Sequence, residues 1–167
     1  PHAPPHAVSP PAGPTHAQDA IDFDNGTLLT GGFVGAFTDL RGIGTIQTNG
    51  LVSNVDLVFD AVPDLSRTFT LSGPGQDITV DLDLDGSHPM GAGHAGSGSM
   101  PLSDGVSVRS SYGYLGYRSG STGAAMVSVT GSTWNNSDAL YVGRGGNGTL
   151  DVTQGGTVKN SIGYIGH

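Results

Sequence analysis

Three aspartates in alternate positions, Asp81, Asp83 and Asp85, followed by Gly86, form the first group whose residue types and spacing suggest chemistry. D-x-D-x-D-G is the opening half of a calcium loop, in which successive carboxylates converge on a hard cation. The twelfth position of such a loop, where a bidentate glutamate closes the site, is Ala92 here. Val80, Leu82 and Leu84 alternate with the aspartates. That alternation predicts a strand with its carboxylates turned to solvent, about 7 Å apart, holding at most a weakly bound Ca2+.

A second group is aromatic. Tyr114, Tyr141 and Tyr164 are each followed by an aliphatic residue, namely Leu115, Val142 and Ile165. Neighbours in a strand point to opposite faces, so if the aliphatics fill a core the tyrosines form an external ladder. Trp134 and Tyr117 are expected to join it, giving either a stacking column or a platform for polysaccharide. The third group is basic: His94 and Arg144 are fifty residues apart, as are Arg109 and Lys159. A lyase acting on acidic polysaccharide needs such a base beside acids or a cation. At the same spacing, however, Asp104 falls opposite Gln154 and Asp151 opposite Pro101, so no acid column accompanies the bases and no catalysis is expected. His2, His6 and His16 lie in a proline-rich stretch, where spacing is a poor signal for metal ligands. Asn25, Asn135 and Asn147 open N-x-S/T sequons, compatible with surface glycans.

The elements that must position these residues are set by a repeat. Laying residues 93–116 over 143–166 matches Gly93/Gly143, Gly96/Gly146, Gly98/Gly148, Gly105/Gly155, Val108/Val158, Ser111/Ser161, Gly113/Gly163, Tyr114/Tyr164 and Gly116/Gly166. A further copy of the closing tetrad, Leu140-Tyr141-Val142-Gly143, divides the period into steps of 27 and 23 residues, from Gly116 to Gly143 and on to Gly166. Periods in this range signal stacked units that cannot bury an apolar face alone. Met100 with Leu102, Val106 with Val108, Leu150 with Val152, and Ala125 with Val127 and Val129 alternate with small polar residues, as in strands with one buried face. Twenty-nine glycines exclude helix, at about 1 kcal/mol for each interior glycine. Two or three short strands per step, joined by corners with positive φ at Gly105 and Gly155, predict an all-β, single-chain β-solenoid (β-helix). Its coils would alternate between 23 and 27 residues.

The motifs YGYLGYRSGSTGAA and VTGSTWNNSDALYVGRGGNGTLDVTQGGTVKNSIGYIG, between Tyr112 and Gly166, resemble the repeats of secreted bacterial β-solenoid proteins. These are of the autotransporter-passenger-like and PEP-CTERM-associated, planctomycete-like kind. GTIQTNGLVSNVDLVFD, from Gly44 to Asp60, resembles the lead-in to such arrays. The resemblance implies an extracellular or cell-surface protein of structural or adhesive role, with fewer repeats than its relatives.

Three regions are expected: a Pro/His/Ala-rich extended arm over residues 1–20, an N-terminal β cap or first coils over 21–90, and solenoid repeats over 91–167. The arm holds six of the ten prolines and suits polyproline II, ordered only against a neighbouring subunit. In the cap, strands are predicted over 42–47, 51–59, 67–71 and 78–84, with Ile78, Val80, Leu82 and Leu84 on one face. The chain starts at proline rather than methionine, which suggests a processed precursor, and the repeat breaks off at His167 without a cap. Cysteine is absent, removing disulfides and thiolate chemistry, and no apolar run is long enough to span a membrane. Residues 1–90 carry eleven aspartates against two arginines, while residues 91–167 carry three against four basic residues. The two ends of the rod are therefore oppositely charged, which disfavours nucleic acid and favours head-to-tail self-association. The function expected is a non-enzymatic extracellular structural protein that stacks into a fibre or surface layer, with no cofactor unless Ca2+. The alternatives are an adhesin or polysaccharide-binding module and, third, a polysaccharide-degrading β-helix enzyme.

Overall fold

The computed structural model describes residues 20–59 and 65–167. Nearly all of the extended arm expected over residues 1–20 lies outside this range, and with it His2, His6 and His16. The described chain is built almost wholly of strands: β1 (Ile21–Thr30), β2 (Phe33–Val34), β3 (Leu40–Thr48), β4 (Leu51–Ser53), β5 (Ser66–Gly73), β6 (Gln76–Asp83), β7 (Met90–Ala92) and β8 (Ser97–Leu102). They are followed by β9 (Ser107–Ser110), β10 (Gly113–Leu115), β11 (Thr122–Ser128), β12 (Thr133–Asn136), β13 (Ala139–Val142), β14 (Asn147–Thr153), β15 (Thr157–Lys159) and β16 (Ile162–Ile165). A single 3-10 turn at Phe37–Asp39 is the only helical element among the described residues. No helix there is long and apolar enough to cross a membrane.

From β7 onward the chain visits three parallel sheets in rotation. β10 pairs with β7 and β13, β11 with β8 and β14, and β12 with β9 and β15. The sheet through β10 is the longest, in the order β16-β13-β10-β7-β4-β2. The fifty-residue register holds in all three sheets, but the half-steps differ. Gly91, Tyr114, Tyr141 and Tyr164 follow one another at 23, 27 and 23 residues. Ser97, Thr122 and Asn147 follow at 25 and 25, and Ser107, Thr133 and Thr157 at 26 and 24. The 23/27 alternation is thus a property of one sheet, and corner loops of unequal length take up the difference.

Inward columns form the core. Met100 and Ala125, Leu102 and Val127, Val108 and Trp134, and Ala92 and Leu115 are at most 3% exposed. Residues between them point outward, as the period-two alternation requires. Corners are tight and left-handed: Gly105 (φ 81°) and Gly155 (φ 85°) follow Asp104 and Gln154, which also have positive φ, as expected for these two glycines. Val129 departs from expectation. It is no part of β11 but sits at φ 65° in the turn that follows, despite its β-branched side chain.

At the other end, β1, β3 and β6 are parallel, and β5 pairs antiparallel with β6 across a Gly73–Gln76 turn. Ile78, Val80 and Leu82 are buried to within 1%, with Leu84 beside them, as predicted from alternation. The strand predicted over 51–59 is shorter than expected. It stops at Ser53, and only isolated bridges, Asp56 to Ser99 and Phe59 to Leu102, attach its remainder to β8. Asn54 accounts for the break, because its Oδ1 accepts the backbone N–H groups of Ala95 (2.9 Å) and Gly96 (3.0 Å) instead of pointing along a strand.

Candidate functional site

The tyrosine ladder is the most organised surface of the molecule. β10, β13 and β16 place Tyr114, Tyr141 and Tyr164 in one register column, while Leu115, Val142 and Ile165 fall in the next. The rings stack face to face: Tyr114 and Tyr141 are 5.3 Å apart at 14°, and Tyr141 and Tyr164 are 4.7 Å apart at 11°. Tyr112 extends the stack at 6.1 Å from Tyr114. Each tyrosine of the register column is half-buried, because a neighbouring ring covers its face. Burial raises the Tyr114 phenol above its ordinary 10.0, with the Arg144 charge pulling the other way.

A second column runs beside the first. The left-handed glycines Gly93 (φ 73°), Gly116 (φ 70°), Gly143 (φ 78°) and Gly166 (φ 65°) end each step, and the residues after them are His94, Tyr117, Arg144 and His167. Gly116 needs this conformation twice over, since a Cβ there would run into the Asn147 carbonyl. The His94 ring stacks on Tyr117 at 5.2 Å, and the Arg144 guanidinium lies over the other side of that column, 4.5 Å from the Tyr117 centroid. It is also 5.6 Å from Tyr114 and 5.9 Å from Tyr141. His167 is tilted over Tyr164 at 5.1 Å. The expected His94/Arg144 basic ladder is therefore interrupted by an aromatic ring. His94 is 3% exposed, and its Nδ1 has no hydrogen-bond partner among the described residues. Burial, aided by Arg118 and opposed by Asp39, holds His94 below its ordinary 6.5.

Trp134 is not part of this face. The expectation of an exposed indole is overturned, since Trp134 is fully buried between Val108 and Val158. Its Nε1 donates to Ser110 Oγ (3.0 Å), which donates to Asn136 Oδ1 (2.7 Å). Gly113 makes room for the indole: a Cβ there would sit 2.9 Å from Trp134 Cζ2 and 2.6 Å from Leu140 Cδ1. The alignment of Thr133-Trp134-Asn135 with Ser107-Val108-Arg109 and Thr157-Val158-Lys159 carries this information in the sequence, because tryptophan occupies a valine position.

The remaining candidates are dispersed. Arg109 and Lys159 share a column but are separated by Asn135, and all three are exposed. Asp81, Asp83 and Asp85 lie on the outer side of β6 and its continuation, alternating with buried leucines. Asp81 accepts from Thr68 (2.9 Å) and Asp83 from Ser66 (2.9 Å), both hydroxyls on β5. Asp85 accepts from the Ser87 N–H (2.8 Å), which lowers its pKa, and lies 3.3 Å from His88. Among the described residues, no three histidine or aspartate side chains converge to hold a metal ion. The sequon residues Asn25, Asn135 and Asn147 are all exposed. No family model matches the chain, and no curated protein or solved structure is significantly similar to it.

Proposed function

We propose that the three rotating sheets are coils of one β-solenoid. We further propose that the protein is a non-enzymatic, extracellular structural element whose copies stack end to end into a fibre or surface layer. The observation that carries this reading is the rung formed by β14, β15 and β16. Its apolar residues continue columns buried elsewhere, yet Val152 is 45% and Ile165 87% exposed, whereas Leu102 and Leu115 in the same columns are fully buried. Among the described residues no strand pairs with the outer edges of β14, β15 and β16, and a further parallel rung would satisfy their backbone groups. At the opposite end β1 and β2 form the outermost strands, with Leu29 77% and Val34 40% exposed. Asp22 and Asp24 lie on β1, while the opposite rung carries Lys159 on β15 and Asp151 on β14, so the contact would be made by apolar residues and backbone edges more than by charge.

A non-catalytic role is supported by the dispersal of the bases: His94 is covered by Tyr117, and Arg109 and Lys159 face solvent and make no ion pair among the described residues. The stack itself argues against a flat glycan platform, because a sugar resting on a tyrosine needs a free ring face and the tyrosines cover one another. The extracellular placement rests on the resemblance of the repeats.

Electron microscopy of the full chain over a range of concentrations tests stacking. Filaments with an axial repeat equal to the number of rungs times about 4.8 Å are expected. Val152→Lys with Ile165→Lys places two charges in the contact and is expected to abolish filaments while leaving far-UV circular dichroism unchanged. Discrete particles at all concentrations would overturn the reading.

A further inference from the structure

We infer that Arg144 and the tyrosine hydroxyls beside it form a binding site for a carboxylate-bearing polysaccharide, a polyuronate chain lying across the stacked-tyrosine face. The site is on the side of the stack rather than at its ends, so it stands whether or not copies join.

The first argument is the state of the guanidinium. Arg144 lies between Gly143 and Gly145 in a glycine corner and is exposed, yet it is held by three rings at 4.5, 5.6 and 5.9 Å. These cation–π contacts hold the group beside the rings without using its N–H donors, which stay available to an acceptor. Among the described residues no carboxylate pairs with Arg144 and no acceptor takes a hydrogen bond from it. In a chain with a formal charge of −8, an immobilised cation without an anion is an uncompleted interaction. A planar fork of donors matches a carboxylate bidentately, and guanidinium is weakly hydrated enough to exchange water for it.

The second argument is what surrounds that fork. The phenols of Tyr114, Tyr141 and Tyr164 repeat along the column, and none has a protein hydrogen-bond partner among the described residues. Each offers one donor and one acceptor at the rim of the stack. A row of hydroxyls beside one fixed cation, on an open face, complements an extended chain with many hydroxyls and periodic carboxylates. The ring faces are covered, so recognition uses guanidinium and phenol edges rather than stacking of sugar on ring. Arg118, next to Tyr117 and exposed, is no part of this site, since it lines a separate cleft with Val34 and Asp39.

Titration calorimetry of the full chain with soluble polygalacturonate tests this, against three reference ligands: its methyl ester, an uncharged glucan and polyglutamate. Polygalacturonate is expected to bind, with affinity falling as salt rises. Arg144→Gln is expected to weaken binding by about tenfold, the scale of one charge-assisted hydrogen bond. Arg144→Lys keeps the charge without the fork and is expected to fall between, while Lys159→Gln, a cation in another sheet, changes affinity less than about twofold. Unfolding midpoints of the variants separate loss of the site from loss of the fold. The inference is overturned if polygalacturonate does not bind, or if folded Arg144→Gln and Arg144→Lys both bind like the parent. It is equally overturned if the ester or glucan binds as well as the acid, or if polyglutamate binds equally, which would show recognition of charge alone.

Discussion

Replacing Tyr141 with leucine isolates what ring stacking contributes to the column, because leucine retains much of the apolar area while removing the aromatic faces. Tyr141 has a ring on each side, at 5.3 and 4.7 Å, whereas Tyr164 has one stacked ring and a tilted His167. At about 0.5–1.5 kcal/mol per aromatic pair, Tyr141→Leu is expected to cost about 1–3 kcal/mol and Tyr164→Leu about half as much. For a chain of this length that corresponds to a fall in Tm of about 3–10 °C for the Tyr141 variant. Urea unfolding followed by far-UV circular dichroism measures both, and an unchanged m-value would show that only stability has moved. The double variant Tyr114→Leu/Tyr141→Leu should be less destabilised than the sum of its singles, by about the value of the shared pair. If Tyr141→Leu lies within about 0.3 kcal/mol of the parent, or costs no more than Tyr164→Leu, the column is a by-product of register and contributes no stability.

Protonation of His94 supplies a second test. Its folded pKa is below 6.5, so its contribution is complete above that pH and is lost as pH falls from 6.5 towards the folded value. Between about pH 7 and about pH 5 the Tm should therefore fall more steeply for the parent than for His94→Gln, and equal slopes would refute burial as the cause. Gly116→Ala combines positive φ with a steric conflict against Asn147 and is expected to cost at least about 2 kcal/mol in urea unfolding. Ser110→Ala leaves the Trp134 N–H and the Asn136 oxygen unpaired in the core, an expected loss of about 1–3 kcal/mol measured the same way. Asp83→Asn removes an exposed charge while keeping an amide oxygen that can accept from Ser66, and is expected to change stability by less than about 0.5 kcal/mol, with added calcium leaving the Tm of the parent unmoved in differential scanning calorimetry.

What could be read from the sequence was whatever a single offset or a single strand encodes. The fifty-residue match placed Tyr114 and Tyr164 in one column, and alternation alone turned Ile78, Val80 and Leu82 inward and Asp81 and Asp83 outward. The glycine corners at 105 and 155 followed from the absence of a Cβ. What escaped is set by the intermediate half-step, whose length differs from sheet to sheet. Trp134 reaches its valine column only at steps of 26 and 24, which the glycine spacing of 23 and 27 does not reveal, whereas the place of Tyr117 between His94 and Arg144 follows from the 23 and 27 steps themselves and was legible. Indole looked like a surface residue in the polar run Gly131–Ser137, because its partner in packing, the missing side chain of Gly113, is twenty-one positions away. The antiparallel pairing of β5 with β6 was hidden for another reason: alternation reports which face is buried and says nothing of strand direction.

The unequal half-steps give the architecture an indivisible unit of length. Deleting a single turn would splice corners of mismatched length, so that two of the three sheets would lose register while the third kept it. A block of fifty residues carries its own compensation, because shortfalls and excesses cancel within it in every sheet. Tandem duplication of residues 117–166 would return Tyr117 to the position of His167 and lengthen the stack by two rungs, about 10 Å, with each column continuing in kind. The shortest block that every column can repeat without a change of register is therefore the pair of steps, fifty residues long.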